Sequence, residues 1–117
     1  MPLRIDVVLD CADAETLAAF WVDALGYRRF GVAGNYRSLI PHSGEAGPKL
    51  ILQEVSEAKV GKNRMHIDLV VRDVETEIVR LEQLGAHRKA SQLIFEHETE
   101  WVVMADPEGN EFCICKA

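Results

Sequence analysis

The N-terminal part of the chain, up to Leu25, changes from an alternating to a helical pattern of apolar positions. In residues 3–9 every second side chain is apolar, which predicts a strand with one face in a core. A helix follows, with Asp13 as its N-cap and Gly26 at its C-terminus. Its apolar stripe consists of Leu17, Phe20, Trp21, Ala24 and Leu25.

Three further strands are predicted before a polar linker at 56–62. They cover residues 27–30, 36–40 and 49–55. A hairpin turn at 31–35 and a Gly/Pro/Ser loop at 41–48 separate them.

The same order of elements then starts again. Met65, Ile67 and Leu69 point to one side of a strand, and Arg64, His66 and Asp68 point to the other. Asp73 begins a second helix and Gly85 ends it; its buried stripe consists of Val74, Ile78, Leu81 and Leu84. The remaining pattern predicts a weak strand at 86–89, a loop or lid at 90–99, strands at 101–105 and 111–116, and a type I turn at 106–109.

An internal repeat supports this organisation. Residues 13–16 and 73–76 match at three of four positions, half a chain length apart, and Leu9 matches Leu69 at the same offset. Duplication with a half-chain period is a structural signal, because each copy buries its apolar face. We therefore predict one α+β domain of two βαβββ modules, at about 1–55 and 63–117. A ferredoxin-like βαββαβ domain is the alternative, but it needs four strands and the pattern has eight.

Composition narrows the function classes. The 117 residues are 48% hydrophobic, enough for a core, and the net charge of −6 argues against binding nucleic acid or an anionic membrane surface. We expect no signal peptide and no membrane span, because acidic residues interrupt the N-terminal apolar runs. The odd set of Cys11, Cys113 and Cys115 predicts reduced thiols and a cytoplasmic location.

Four stretches resemble the vicinal-oxygen-chelate superfamily (glyoxalase, bleomycin resistance and dioxygenase proteins), and in particular its small glyoxalase-like members. They are residues 17–27, 50–53, 62–68 and 104–112, the last being the most specific. The resemblance implies that the two modules form a cupped mixed β-sheet with the helices packed outside. Some members hold a divalent metal in this cup, and others bind a small molecule without metal.

The resemblance also places candidate metal ligands on the first and last strands of each module. These positions are Asp6, Gln53, His66 and Cys113, and the pairs Asp6–His66 and Gln53–Cys113 both have the offset of the repeat. Gln53 is a weak neutral donor, so Asp6, His66 and Cys113 form the candidate metal set. Zinc is the ion most compatible with Asp, His and Cys ligands.

Simpler interpretations exist for each position. Cys113 fits a small buried residue and His66 a hydrogen-bonded core histidine. Asp6 fits an exposed charge or a partner for Arg64, and Trp101 and Met104 fit ordinary core positions.

The resemblance implies two candidate functions. The first is a protein that binds a small molecule without a complete metal site, and the second is a metal-dependent lyase, isomerase or dioxygenase; the catalytic residues are unknown. The resemblance also implies a homodimer, because short members of the superfamily commonly pair. The predicted pocket consists of Asp6, Gln53, Arg64, His66, Asp68, Trp101, Met104 and Cys113.

Overall fold

The computed structural model describes residues 5–63, 65–89, 94–96 and 99–117. The chain forms two compact units that divide between Lys59 and Val60. Each unit contains one helix and one mixed sheet.

The first unit has the predicted order of one strand, one helix and three strands. Its elements are β1 (Asp6–Cys11), α1 (Ala14–Leu25), β2 (Tyr27–Ala33), β3 (Tyr36–Pro41) and β4 (Lys49–Glu54). The strand order in the sheet is β1-β4-β3-β2, with β1 and β4 parallel and the other neighbours antiparallel.

Helix α1 has the two ends that the sequence predicts. The Asp13 carboxylate accepts a hydrogen bond from the Thr16 backbone N–H at 3.1 Å, and the hydroxyl of Thr16 donates to it at 2.9 Å. Gly26 closes the helix in the left-handed conformation, with φ of 66°. The predicted stripe is buried except for Leu25, which is partly exposed. Leu39, Leu50 and Leu52 on the strands are buried as well. Burial of this apolar face stabilises the unit.

The second unit repeats the arrangement with a broken edge. Its elements are β5 (Asp68–Val71), α2 (Val74–Gln83), β6 (His87–Arg88), β7 (Ile94–Glu96), β8 (Thr99–Ala105) and β9 (Glu111–Lys116). The order is β5-β9-β8-β6, and β7 also pairs with β8. Strands β6 and β7 both pair with β8, in the place that β2 takes beside β3 in the first unit. The second unit is therefore also a βαβββ module, in which the second strand is divided into β6 and β7.

The turn between β8 and β9 is built around a buried carboxylate. Asp106 is fully buried, and its Oδ1 accepts hydrogen bonds from the backbone N–H groups of Glu108 and Asn110, both at 2.9 Å. The Asn110 side-chain amide donates to both carboxylate oxygens, at 3.1 and 2.9 Å. These bonds fix the hairpin that carries β9.

The structure corrects several predicted boundaries. Strand β2 continues to Ala33, so the hairpin turn is shorter than predicted, and β7 forms within the predicted loop at 90–99. Strand β5 begins only at Asp68, and Met65 is 81% exposed instead of facing the core. The described residues form nine strands instead of eight. Residues 90–93 and 97–98 of the predicted loop lie outside the described part.

The constant offset of the repeat holds at the first strands and helices but is wrong at the last strands. The two N-caps have the offset of the repeat. The first strands have it too, because equivalent backbone bonds end on them: the Val55 N–H donates to Cys11 O, and the Ala117 N–H donates to Val71 O. The same two bonds make Val55 and Ala117 equivalent, although they lie further apart in the chain than the two N-caps do. Cys113 is therefore equivalent to Ile51, and Gln53 to Cys115, because two extra residues precede β9.

Candidate functional site

The second sheet has a buried face and an open face. On the buried face, Val102, Met104, Phe112 and Ile114 are fully buried, as are Ile78 and Leu81 of α2. Since side chains alternate along a strand, Trp101 and Val103 of β8 point to the opposite face, with Cys113 and Cys115 of β9. Register confirms this grouping, because Trp101 pairs with Cys115 and Val103 with Cys113.

The open face forms a cavity of about 380 Å³. It is lined by Lys62, His66, Asp68, Trp101, Val103, Glu111, Cys113 and Cys115. Its floor is thus a strand pair, which is a rigid support, and His66 enters from the segment just before β5.

Three potential ligands cluster in this cavity. The Nε2 of His66 lies 3.2 Å from Oδ1 of Asp68, and both side chains are about half exposed. Asp68 is the parallel-register neighbour of Cys113, whose backbone N–H donates to Ile67 O at 3.0 Å. One ligand atom from each of His66, Asp68 and Cys113 lies within 4.8 Å of the other two.

Both thiols in the cavity are held in their protonated form. Burial raises the pKa of Cys113 to about 11, and the nearby Asp68 carboxylate adds to the effect. Burial also raises the pKa of Cys115, as do the charge of Asp68 and a side-chain hydrogen bond with it. Neither thiol is a spontaneous nucleophile at neutral pH, because the thiolate is the reactive form.

Glu111 anchors the segment that leads to His66. Its carboxylate accepts from Lys62 Nζ at 2.9 Å and from the Asn63 backbone N–H at 3.1 Å, while its carbonyl accepts from the Asn63 side chain at 3.2 Å. The ion pair with Lys62, followed by the Asn63 bond, lowers the pKa of Glu111. Glu111 is not among the residues predicted from the sequence, although it alternates with Cys113 and Cys115 on one strand and so shares their face.

The structure brings four of the predicted pocket residues together: His66, Asp68, Trp101 and Cys113. The prediction for Met104 is wrong, because it is fully buried on the helix-facing side of β8. Its odd spacing from Trp101 could have excluded a shared face, since strand side chains alternate. Arg64 lies outside the described residues.

The predicted metal ligands Asp6, His66 and Cys113 belong to two different units of the chain. Within the second unit, Asp68 lies with His66 and Cys113. Asp6 and Gln53 belong to β1 and β4 of the first unit, where both are partly buried. Asp6 pairs with Lys49 and Gln53 with Asp10, so Asp6 and Gln53 share one face of that sheet.

A model of the glyoxalase-like domain matches residues 6–115, which is nearly the whole chain. The chain belongs to the glyoxalase-like domain family. No curated protein matches it in sequence. Neither helix in the described part is long and apolar enough to cross a membrane.

Solved structures of glyoxalase-like proteins share this fold. The fosfomycin resistance protein FosX from Listeria monocytogenes superimposes with a TM-score of 0.79 at 14% identity, covering 100% of this chain and 94% of its own. A glyoxalase/bleomycin resistance protein/dioxygenase family enzyme from Burkholderia phytofirmans PsJN gives 0.77 at 17% identity, with 96% and 98% covered. Lactoylglutathione lyase from Agrobacterium tumefaciens gives 0.67 at 18% identity, with 100% and 96% covered. The two mixed sheets are those of the glyoxalase/bleomycin resistance fold; at these identities the likeness establishes the fold alone.

Proposed function

We propose that this glyoxalase-like protein binds a small organic molecule in the cavity on the open face of the second sheet. The observation that carries the proposal is the shared cavity of His66, Asp68, Trp101 and Cys113. Its volume of about 380 Å³ lies at the lower end of the usual range for ligand sites, so a metabolite-sized compound fits best.

The lining divides into an apolar wall and a polar edge. Trp101 and Val103 supply apolar surface, against which a flat or aliphatic part of the ligand packs. His66 and Asp68, which are half exposed, supply one nitrogen and one carboxylate to orient polar groups. The similar structures include a fosfomycin resistance protein and a lactoylglutathione lyase, and both names refer to small organic compounds, which supports a ligand of this size.

Tryptophan fluorescence tests the proposal directly. Trp101 lines the cavity and Trp21 is 2% exposed in the first unit, so a compound in the cavity changes only the Trp101 emission. A thermal-shift screen of a metabolite library supplies candidate compounds, because binding raises the melting temperature. We expect saturable quenching in the wild type and none in Trp101→Phe. Quenching that persists in Trp101→Phe, or a screen without any stabilising compound, refutes the proposal.

The second candidate function is a metal-dependent lyase, isomerase or dioxygenase. The clustering of His66, Asp68 and Cys113 favours it, because N, O and S donors of these types all bind zinc. A bound zinc ion would act as a Lewis acid on substrate oxygens. Asp68 would orient His66 through their 3.2 Å contact.

Elemental analysis of protein purified without a tag separates the two functions. One equivalent of a divalent ion that is lost in His66→Ala supports the enzyme. A metal-free protein whose melting temperature is unchanged by Zn²⁺, Ni²⁺, Mn²⁺ or Fe²⁺ excludes it.

We also propose a homodimer in the cytoplasm. Strand β2 is an edge strand of the first sheet, and it exposes Phe30 by 59% and Val32 by 69%. An exposed apolar edge of this kind favours pairing with another chain. Light scattering at micromolar concentration should give twice the mass of 13.1 kDa, and a monomeric mass would contradict the proposal.

A further inference from the structure

The charged side chains around the cavity do not balance. Among the described lining residues Lys62 is the only permanent cation, and its ammonium is bound to the Glu111 carboxylate at 2.9 Å. The second carboxylate, Asp68, is half exposed and contacts His66 Nε2 at 3.2 Å and the thiol of Cys115. Neither of these two partners carries a permanent positive charge. The Asp68 carboxylate can therefore serve a positively charged solute in the cavity.

The two thiols respond to this negative charge. Burial is the largest cause of the raised pKa of Cys113 and Cys115, and the charge of Asp68 is the next. A potential that disfavours a thiolate favours a cation at the same place, because both effects have the same electrostatic origin. The floor of the cavity is thus uncharged and lies in a field that attracts positive charge.

An apolar wall lies across this floor from the carboxylate. The strand order β5-β9-β8 puts Asp68 on one side of the two thiols. Trp101 and Val103 of β8 lie on the other side. Two strand spacings separate β5 from β8, so Asp68 and Val103, which both pair with Cys113, are roughly 10 Å apart. A ligand that spans the floor meets a carboxylate at one end and an indole and an aliphatic side chain at the other.

We propose that the cavity selects organic amines in which an apolar body carries one ammonium group. The ammonium donates to the Asp68 carboxylate, and the body packs on Trp101 and Val103. The face of the Trp101 ring strengthens the preference, because its quadrupole also attracts positive charge. This inference rests on the proposed function, since it names the class of ligand for the same cavity.

Three probes of similar shape and different charge test the inference. Near neutral pH, phenethylamine is a cation, phenethyl alcohol is neutral and hydrocinnamate is an anion. Each is titrated into the full chain with a chelator present, so that no metal ion mediates binding, and the Trp101 emission gives its dissociation constant. We expect the amine to bind about tenfold more tightly than the alcohol, because a hydrogen bond to a charged partner is roughly twice as strong as a neutral one. The anion should bind more weakly than both.

A matched pair of variants locates the effect. Asp68→Asn keeps the shape of the side chain and removes its charge, so we expect about tenfold weaker binding of the amine and unchanged binding of the alcohol. Glu57→Gln makes the same change in net charge at an exposed position outside the cavity. It should leave all three constants unchanged, because salt screens distant exposed charges. The comparison of probes on the wild type decides the question even if Asp68→Asn affects folding.

Different results separate this inference from the proposed function. Equal binding of amine and alcohol, or amine binding that is unchanged in Asp68→Asn, overturns the inference. If a library compound still quenches Trp101 in that case, the small-molecule function stands without the preference for amines. If none of the three probes binds, the library compounds that quench Trp101 take their place: cations weakened by Asp68→Asn support the inference, and neutral or anionic compounds overturn it. If no compound of any kind binds, both proposals are overturned.

Discussion

Replacing Asp106 by alanine tests whether its buried carboxylate holds the β8–β9 hairpin. The change removes the acceptor for two backbone N–H groups and for the Asn110 side-chain amide. Glu108 is partly exposed, so water replaces its lost partner, but Asn110 is only 8% exposed and loses partners at both its backbone and side-chain nitrogens.

The size of the effect follows from these two buried donors. A buried donor left without a partner costs about 1–3 kcal/mol, so we expect Asp106→Ala to lower the free energy of unfolding by roughly 3–4 kcal/mol. For a chain of 117 residues this corresponds to a fall in melting temperature of roughly 10–15 °C. The hairpin carries Trp101 and Cys113, so ligand quenching of Trp101 should weaken in the same variant.

Circular dichroism melts and urea titrations measure the loss. Asp106→Asn is the matched variant, because an amide oxygen at the Oδ1 position still accepts from both backbone N–H groups. It should lose less than half as much stability as Asp106→Ala. Glu57→Ala, at an exposed position, controls for removal of a carboxylate and should change stability by less than about 0.5 kcal/mol. A melting temperature of Asp106→Ala within about 4 °C of the wild type would refute the reasoning.

Three further predictions concern single residues. Met104→Ala should destabilise the protein by about 2–5 kcal/mol, because it leaves a cavity at a fully buried position; a denaturant titration measures this loss. The folded variant should still bind compounds in the open-face cavity, which quenching of Trp101 measures. Glu111→Gln should cost about 0.5–1 kcal/mol at pH 7. The pKa of Glu111 in the folded state lies below its ordinary value of 4.5, so its contribution to stability is complete above that pH and is lost as the pH falls through the folded-state pKa. A stability difference between Glu111→Gln and the wild type that persists at acid pH would contradict the stabilising role of the Glu111 carboxylate. Gly26→Ala should lower stability by about 1–2 kcal/mol, since φ is 66° and an added Cβ meets no atom within 4 Å, so the cost in a thermal melt is conformational alone.

The sequence by itself predicted both helices and the order of the elements in each module, apart from β7, which forms within the predicted loop. Asp13 and Asp73 cap the two helices as predicted, because a carboxylate before a helical apolar stripe accepts the free N–H groups of the first turn. The repeat predicted two similar modules, and the match over 6–115 confirms the family. His66 and Asp68, which the sequence pattern put on one face, both line the cavity, although only Asp68 lies in a strand.

Tertiary structure decided which side chains meet. The parallel pairing of β5 with β9 brings Asp68 beside Cys113, and the two extra residues before β9 shift the register away from the repeat. No local signal fixes such a register, because parallel strands are joined through a long connection and not by a turn of defined geometry. The anchoring of Glu111 by Lys62 and Asn63 has the same origin: residues far apart in the chain become neighbours only when packing of the apolar face sets the strands in place.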